Sequence, residues 1–313
     1  MNQPRVSTAD DKTASRPKVA VVGLGSIGGI VAGCLQLSEG CDLVACTRHP
    51  LSSLLLDLPA GSIDVHLRTL TDPSEATPVD WVLLSTKAHE TPSTAPWLQH
   101  LCSPSTRVAV LQNGIDHADR VASIIAGLVV VPTIVYFNAE RLSSRHVRLR
   151  QANDNDLVAP DDSNGAAFAR LFDGTVLRTT TKADFTTLLW RKLLLNAVAN
   201  PITTLTRQRL AVLHHPEIQA LCHQILEEGS RVARAHEIPL PPDEADRVLG
   251  ALLSYPPDAG TSMYFDCLAG RPLEIEVLTG AIVKAGERLG VATPINRMLL
   301  ALLRSINADQ SST

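Results

Sequence analysis

Two textures of apolar patterning divide the chain. In the first, short continuous apolar runs alternate with segments of helical spacing. KVAVV at 18–22, DLVACT at 42–47, DWVLLST at 80–86 and RVAVLQ at 107–112 are such runs. They suit strands buried on both faces of a parallel sheet. A weaker alternating segment lies at 64–70, and LVVVPTIVYF at 128–137 holds a further strand. IVAGCLQL, beginning at Ile30, and the stretch 118–126 carry helical spacing. Strands alternating with helices predict βαβ units. VRLR, DLVA and TVLRT, between 147 and 181, are candidates for antiparallel strands completing the sheet. After residue 182 strand signals largely vanish. Segments 183–209, 216–236, 243–254, 262–269, 273–289 and 294–306 read as helices, separated by PLPPD and SYPPDAGT.

Composition narrows the class. The chain has 313 residues, which predicts about two domains. A net charge of −4 argues against a nucleic-acid surface, which needs clustered Lys and Arg. The longest apolar stretch, Ile124 to Phe137, contains Gly127 and Pro132 and is too short for a membrane span. Residues 1–17 are polar, lack the apolar centre of a signal peptide and read as a disordered tail. Six cysteines without a CxxC pair read as reduced cytosolic thiols, so a cytoplasmic location is expected. No metal motif is present among the ten histidines, and no GxSxG elbow appears.

The first chemical signal is GLGSIGG at 23–29. Gly23, Gly25 and Gly28 fit GxGxxG between a buried strand and a helix. In that context Gly23 allows the turn, Gly25 lets backbone approach a pyrophosphate, and Gly28 lets helix pack on strand. Gly23, Leu24, Gly25, Ser26, Ile27 and Gly28 thus form a candidate dinucleotide cradle at a helix N-terminus, where free N–H groups favour anions. The second strand ends in Cys46-Thr47-Arg48-His49-Pro50, without the carboxylate that an NAD site uses for the ribose. Arg48 stands where a 2′-phosphate needs a cation. NADP(H) is therefore expected over NAD(H). The fold class is α/β plus all-α. An N-terminal Rossmann domain (18–182) precedes a C-terminal helical domain (183–313), with the active site in the cleft between them.

Ligands of open α/β sheets bind beyond the carboxyl ends of the strands. Two such ends carry Lys87 and Asn113. Lys87 either faces a cofactor or substrate group or is a solvated strand-end charge. Asn113 either bonds the nicotinamide end or a substrate oxygen, or serves the Asn113-Gly114 turn. The segment TTLLWRKLLLNAVANPITTL is strongly apolar, yet Lys192, Asn196 and Asn200 fall at i, i+4 and i+8. That spacing puts them on one helical stripe. Buried polar groups cost several kcal/mol unless paired or facing a cavity, so the stripe suggests a lined cleft. A desolvated lysine has a lowered pKa and can act as a general acid. The competing reading is a snorkelling lysine, with the helix ending or kinking at Asn200-Pro201. Ser262 reads locally as a helix N-cap, and Glu274 as an acid in a helix's first turn after Pro272.

The chain resembles the ketopantoate reductases (2-dehydropantoate 2-reductases) over 18–305. The resemblance rests on KVAVVGLGSIGG, STKAHE, LQNG, LWRKLLLNAVANPIT, SMYFDCLAGRPLEIEVLTGAIV and GVATPIN, in this order. It implies NADPH-dependent reduction of 2-dehydropantoate to pantoate, on the route to pantothenate and coenzyme A. Lys192 matches the catalytic lysine that protonates the carbonyl oxygen. Asn196 and Asn200 match substrate-binding asparagines, and Ser262 a substrate-holding serine. Glu274 matches a glutamate at the cofactor end of the cleft that helps place the lysine. The glycine loop, Arg48, Lys87 and Asn113 match the cofactor side. The implied partners are a small 2-oxo acid and, in some members, a second copy in a homodimer; nucleic acid, membrane and metal are not implied. One departure stands out. The stretch ITTLTRQRLAV lacks the family's further asparagine, with Arg207, Gln208 and Arg209 filling it. A sister reductase of another 2-oxo acid, or a non-catalytic NADP(H) sensor, are the alternatives.

Overall fold

The computed structural model describes residues 16–151 and 154–311. Most of the expected tail lies outside the described residues. Its last residue does not hang free, because the Pro17 carbonyl accepts from the Asp42 N–H at 2.9 Å. The chain opens with β1 (Lys18–Val22), helix α1 (Ser26–Ser38) and β2 (Asp42–Cys46). Strands β3 (Ser53–Leu58), β4 (Gly61–His66), β5 (Thr69–Leu70) and β6 (Trp81–Leu84) follow. Then come α2 (Ala95–Leu101), β7 (Arg107–Val110), α3 (His117–Ala122) and β8 (Val129–Pro132). Six of these strands make one parallel sheet in the order β5-β2-β1-β6-β7-β8. The chain runs outward from β1 in one direction and returns to build the other half from β6. The carboxyl ends of β1 and β6 therefore flank a topological switch point, where α/β sheets bind ligands. Val19 to Val22 and all of β6 are buried, as their uninterrupted apolar character requires.

The remaining strands of this half are β9 (Ile134–Val135), β10 (Asn138–Ser143), β11 (His146–Arg150), β12 (Leu157–Pro160) and β13 (Thr179–Lys182). They do not complete the main sheet as antiparallel additions. VRLR lies in β11, parallel to β3, in a second sheet ordered β10-β11-β3-β4. DLVA lies in β12, parallel to β13 and antiparallel to β9 in a third sheet. TVLRT is mostly turn, since Thr175 Oγ1 accepts from the Leu177 N–H and the strand begins only at Thr179. The physical reason for the second sheet is α1. That helix is apolar almost all round, so it needs cover on the side away from the main sheet. A Cβ on Gly33 would stand 2.3 Å from Leu56 Cδ1, and one on Gly29 would stand 3.3 Å from Leu54 and Val147. The second sheet is thus seated directly on the glycine face of α1. Helix α4 (Ser163–Arg170) went unread because Asn164-Gly165 looks like a turn; Asp162 caps it by accepting from both N–H groups at 2.8 Å.

After Lys182 the described residues are helical: α5 (Phe185–Thr206), α6 (Pro216–Ala235), α7 (Glu244–Leu253), α8 (Ser262–Leu268), α9 (Thr279–Leu289) and α10 (Pro294–Ser311). The fold class is therefore a Rossmann-like parallel sheet followed by a helical C-terminal domain. α5 is the spine of the second core, burying Trp190, Leu193, Leu194, Ala197 and Val198. α6 carries buried Glu228, whose carboxylate accepts from the Ile295 and Asn296 N–H groups at 2.9 Å and closes the start of α10. The helix read over 183–209 is α5. It passes through Asn200-Pro201 without ending, against the competing reading, and stops at Thr206, where Arg207 takes a left-handed conformation (φ 53) and its N–H returns to the last turn. One helix expectation is corrected: the helix expected from 273 starts only at Thr279, so Glu274 lies in the irregular segment ahead of α9. Among the described residues no helix is long and apolar enough to cross a membrane.

Candidate active site

The glycine loop is built by close approach. Gly23 has φ +98, and a Cβ there would stand 2.6 Å from Thr86 Cγ2. On Gly28 a Cβ would stand 1.9 Å from the Gly23 carbonyl oxygen, so only glycine lets α1 sit this near β1. Ser85, at the end of β6, donates to that same carbonyl at 2.7 Å. Gly25 is different: a Cβ there would meet nothing within 4 Å. It is the N-cap of α1, and no side chain caps the helix. The first N–H groups of a helix lack intrahelical partners and favour an anion. The loop therefore leaves both donors and open space at the switch point. Those are the features that a dinucleotide pyrophosphate requires.

Beyond β6 and β7 the strand-end loops meet the helical domain. Lys87 Nζ donates to Asp266 Oδ2 at 2.8 Å and to Glu274 Oε2 at 3.2 Å. Asn113 Nδ2 donates to the same Glu274 oxygen at 3.1 Å, and the Ala88 N–H donates to the other at 3.0 Å. Glu274 is only 7% exposed. Burial pushes its carboxyl up, but Lys87, the Ala88 N–H and Asn113 outweigh that and leave it below the usual range. Burial likewise pulls on the Lys87 ammonium, and the two carboxylates hold it above its usual value. Glu274 makes these contacts from an unwound segment five residues ahead of α9. Arg271 Nε holds the other oxygen of Asp266 at 2.8 Å.

The loop carrying Asn113 is itself braced. Buried Gln112 donates to Thr86 O, Thr86 Oγ1 and Thr91 Oγ1, each at 3.0 Å, and accepts from Arg120 Nη1 at 2.7 Å. Arg120 Nη2 also donates to the Asn113 carbonyl at 3.1 Å. His117 is 1% exposed, and its Nε2 lies 3.0 Å from the Gln112 carbonyl. Burial, with Arg120 adding to it, pulls the imidazole down to about 4. It is therefore neutral near pH 7, and the ring nitrogen facing that carbonyl carries the proton.

Opposite this loop stands the polar stripe of α5. Lys192 and Asn196 line a narrow cleft together with Gln112, Asn113, Gly114, Thr133 and Ile134. The cleft is closed by Leu189 and Leu193 on α5. Lys192 Nζ donates to the Val135 carbonyl at 2.5 Å and lies 6.0 Å from the Tyr136 ring centroid. Burial pulls its ammonium down to about 8, and the charge of Glu274 resists the fall. Neither Asn196 nor Asn200 makes a side-chain hydrogen bond among the described residues, although Asn200 is only 2% exposed. Uncommitted amides on a buried helix are what a polar ligand would satisfy.

The structure thus brings Lys192, Asn196 and Asn113 into one cleft, and joins Asn113, Lys87 and Glu274 in one network beside it. Asn200 sits a turn farther along α5, behind the cleft lining. Ser262 is exposed at the start of α8, and it is not the N-cap. Thr261 fills that role by accepting from the Tyr264 N–H at 3.1 Å, while its hydroxyl meets Thr203 of α5 at 2.9 Å. Arg48 stands apart from the cleft on the glycine-loop side, 75% exposed and ion-paired with Glu90. Sequence reasoning missed Asp266, Gln112 and Glu90. None of the three forms a recognisable motif, and Glu90 and Asp266 find Arg48 and Lys87 far away in the chain.

A glycine-cradled switch point facing a helical domain across a cleft with a half-buried lysine defines an oxidoreductase that works with a nicotinamide dinucleotide. Comparison with known proteins then gives the family. Residues 19–161 match the model described as Ketopantoate reductase PanE/ApbA, and residues 184–307 match its C-terminal counterpart. The chain belongs to the ketopantoate reductase family. It is 37% identical over 287 residues to a 2-dehydropantoate 2-reductase of Mycobacterium tuberculosis, covering 91% of this chain and 96% of that one. It is 34% identical to one of Caulobacter vibrioides, covering 92% and 98%. The solved structure of a dimeric ketopantoate reductase from Staphylococcus aureus superposes with a TM-score of 0.82 at 27% identity, covering 94% and 99%.

Proposed function

We propose that this protein reduces 2-dehydropantoate to pantoate with NADPH, as a step toward pantothenate and coenzyme A, with Lys192 as general acid. The observation that carries the reading is the half-buried side chain of Lys192. It lines the cleft on the apolar helix α5, and burial has pulled it toward neutral pH. A donor so placed is matched to protonating a developing alkoxide near neutral pH. The cradle fits the cofactor, because Gly25 opens onto free space and the first turn of α1 is uncapped. Backbone from Gly23, Leu24, Gly25, Ser26, Ile27 and Gly28 would hold the pyrophosphate. Arg48 would hold the 2′-phosphate, and Lys87, Asn113 and Glu274 the opposite end. When bound, the cofactor supplies hydride. Asn196, Asn200 and Ser262 would bind the oxo acid, and Lys192 would hold a proton at its carbonyl oxygen. Glu274, tied to Lys87 and Asn113, would keep the two domains in register around the lysine.

The proposed division of labour gives cofactor binding to residues 18–182 and catalysis to residues 183–313, after the last strand. Among the described residues Cys34, Cys41, Cys46, Cys102 and Cys222 are thiols, in keeping with the cytoplasmic location proposed here. The dimeric Staphylococcus aureus relative supports a homodimer here. One observation favours a second reading. The Arg207-Gln208-Arg209 segment after α5 is exposed and brings cations into the stretch where the resemblance implies a further asparagine. Arg209 is spent on the Asp258 carbonyl at 2.5 Å and on the Phe265 ring, which leaves Arg207 to select an anionic or polar distal group in a sister reductase.

The test is loss of NADPH absorbance with 2-dehydropantoate, run beside a panel of other 2-oxo acids. Fastest turnover on 2-dehydropantoate is expected. A different preferred oxo acid would support the sister reductase. Silence across the panel with intact NADPH binding would leave a non-catalytic sensor.

A further inference from the structure

Arg48 and Glu90 close an ion pair over the glycine loop. Arg48 follows β2 and Glu90 follows β6, and these strands flank β1 on its two sides. The pair therefore spans the carboxyl end of β1, on the side of the loop where Rossmann folds hold the adenosine ribose. The second strand carries no carboxylate at its end, yet the fold delivers one from the neighbouring crossover. Glu90 is firmly placed by its backbone. It lies in the short 3-10 helix Ala88–Thr94, its N–H donates to the Lys87 carbonyl at 2.9 Å, and its own carbonyl accepts from Ser93 Oγ at 2.7 Å. Only its side chain is free to exchange partners.

We infer that Glu90 sets the discrimination between the two nicotinamide dinucleotides; this rests on the proposed reading of the loop as a dinucleotide site. In the free protein the carboxylate neutralises Arg48. A 2′-phosphate must take the guanidinium from Glu90 and then sit beside the displaced carboxylate, so like charges oppose it. A ribose 2′-hydroxyl is neutral and donates, so the same carboxylate accepts it without repulsion. Glu90 thus tempers the preference for NADPH that Arg48 creates and keeps NADH usable. The pair is exposed, with Arg48 at 75% and Glu90 at 29%, so the effect is modest.

The test is direct binding of NADPH and NADH without substrate, by titration calorimetry or cofactor fluorescence. It compares the unaltered protein, Glu90→Gln, Arg48→Ala and the double variant. Glu90→Gln keeps the side-chain shape and should tighten NADPH by about three- to tenfold while leaving NADH unchanged or weaker. Arg48→Ala should weaken NADPH far more than NADH. In the Arg48→Ala background the gain from Glu90→Gln should shrink to about twofold or less. Glu90→Ala should repeat the direction of Glu90→Gln. Equal changes for both dinucleotides, or no change for either, would overturn the role of Glu90 while leaving the dinucleotide site standing. Failure of the unaltered protein to bind either dinucleotide would overturn the site reading and this inference together.

Discussion

The glycine loop and the lysine cleft both set polar groups at the edge of an apolar core, by opposite means. The loop uses backbone. Its parts lie within six consecutive residues, and its defining property is the absence of side chains: Gly28 admits no Cβ, while Gly25 leaves open space. The cleft uses side chains carried by three remote segments. Lys192 and Asn196 come from α5, Asn113 from the end of β7, and Glu274 from the turn before α9. The first site is stable by geometry and carries no net charge of its own. The second stores unfavourable burial, held in check by an ionic network. The lesson is that the loop's shape is built cheaply into the chain, whereas the lysine of the cleft is placed at a cost to stability.

The largest effect that would test this contrast is on turnover. Lys192→Ala should lower kcat by about 10²- to 10⁴-fold and leave the Kd for NADPH within about threefold. Near-normal turnover would remove the lysine from the acid role. In the unaltered protein kcat/KM for reduction should fall as pH rises through about 8, where the ammonium loses its proton.

Next comes the loop. Gly28→Ala forces a Cβ onto the Gly23 carbonyl and should cost about 2–3 kcal/mol of stability by overpacking. Gly25→Ala adds a methyl in open space, so thermal stability should hold while NADPH affinity drops about tenfold. Equal loss of stability in both variants would erase the distinction between packing glycine and ligand glycine.

The claim that the cleft costs stability has its own test. The Lys192 pKa is about 8 in the folded protein, against an ordinary 10.5. Below pH 8 the side chain is charged in both folded and unfolded states, so folding bears the full penalty of burying it. Between 8 and 10.5 the unfolded chain binds more protons, so stability rises with pH, and above that range the penalty is gone. Lys192→Met should therefore stabilise the protein at pH 7 by on the order of 2 kcal/mol. That gain should fade by pH 10.5, read from unfolding midpoints across pH. The smallest expected effect is at the network's rim. Asp266→Asn should cost about 1 kcal/mol or less, because Lys87 is 39% exposed and keeps Glu274.

Much of this was legible in the chain, and the gaps follow a rule. The buried parallel strands were readable because covering both faces removes polar alternation. The stripe Lys192, Asn196, Asn200 was readable because helical spacing alone sets which side chains share a face. β3 was not read, because SLLLDL carries no clean alternation and only its pairing with β4 and β11 makes it a strand. The helix start before Glu274 was misread because local rules favour an acid there, while the actual carboxylate is pulled toward Lys87, Ala88 and Asn113. Ser262 satisfies the local cap rule as well as Thr261 does, and only the packing of Thr203 separates them.

By itself the sequence determined the strand–glycine loop–helix unit, the change from strands to helices after Lys182, and the polar stripe of α5. All three depend on interactions between residues a few positions apart. Tertiary packing was needed to show that Glu274 joins Lys87 and Asn113 and that Arg48 finds a carboxylate in Glu90. Glu274 and Lys87 are 187 positions apart, and Arg48 and Glu90 are 42 apart. No periodicity or short motif carries information over such distances. Strand order does, by setting side by side the carboxyl ends of β2, β1, β6 and β7.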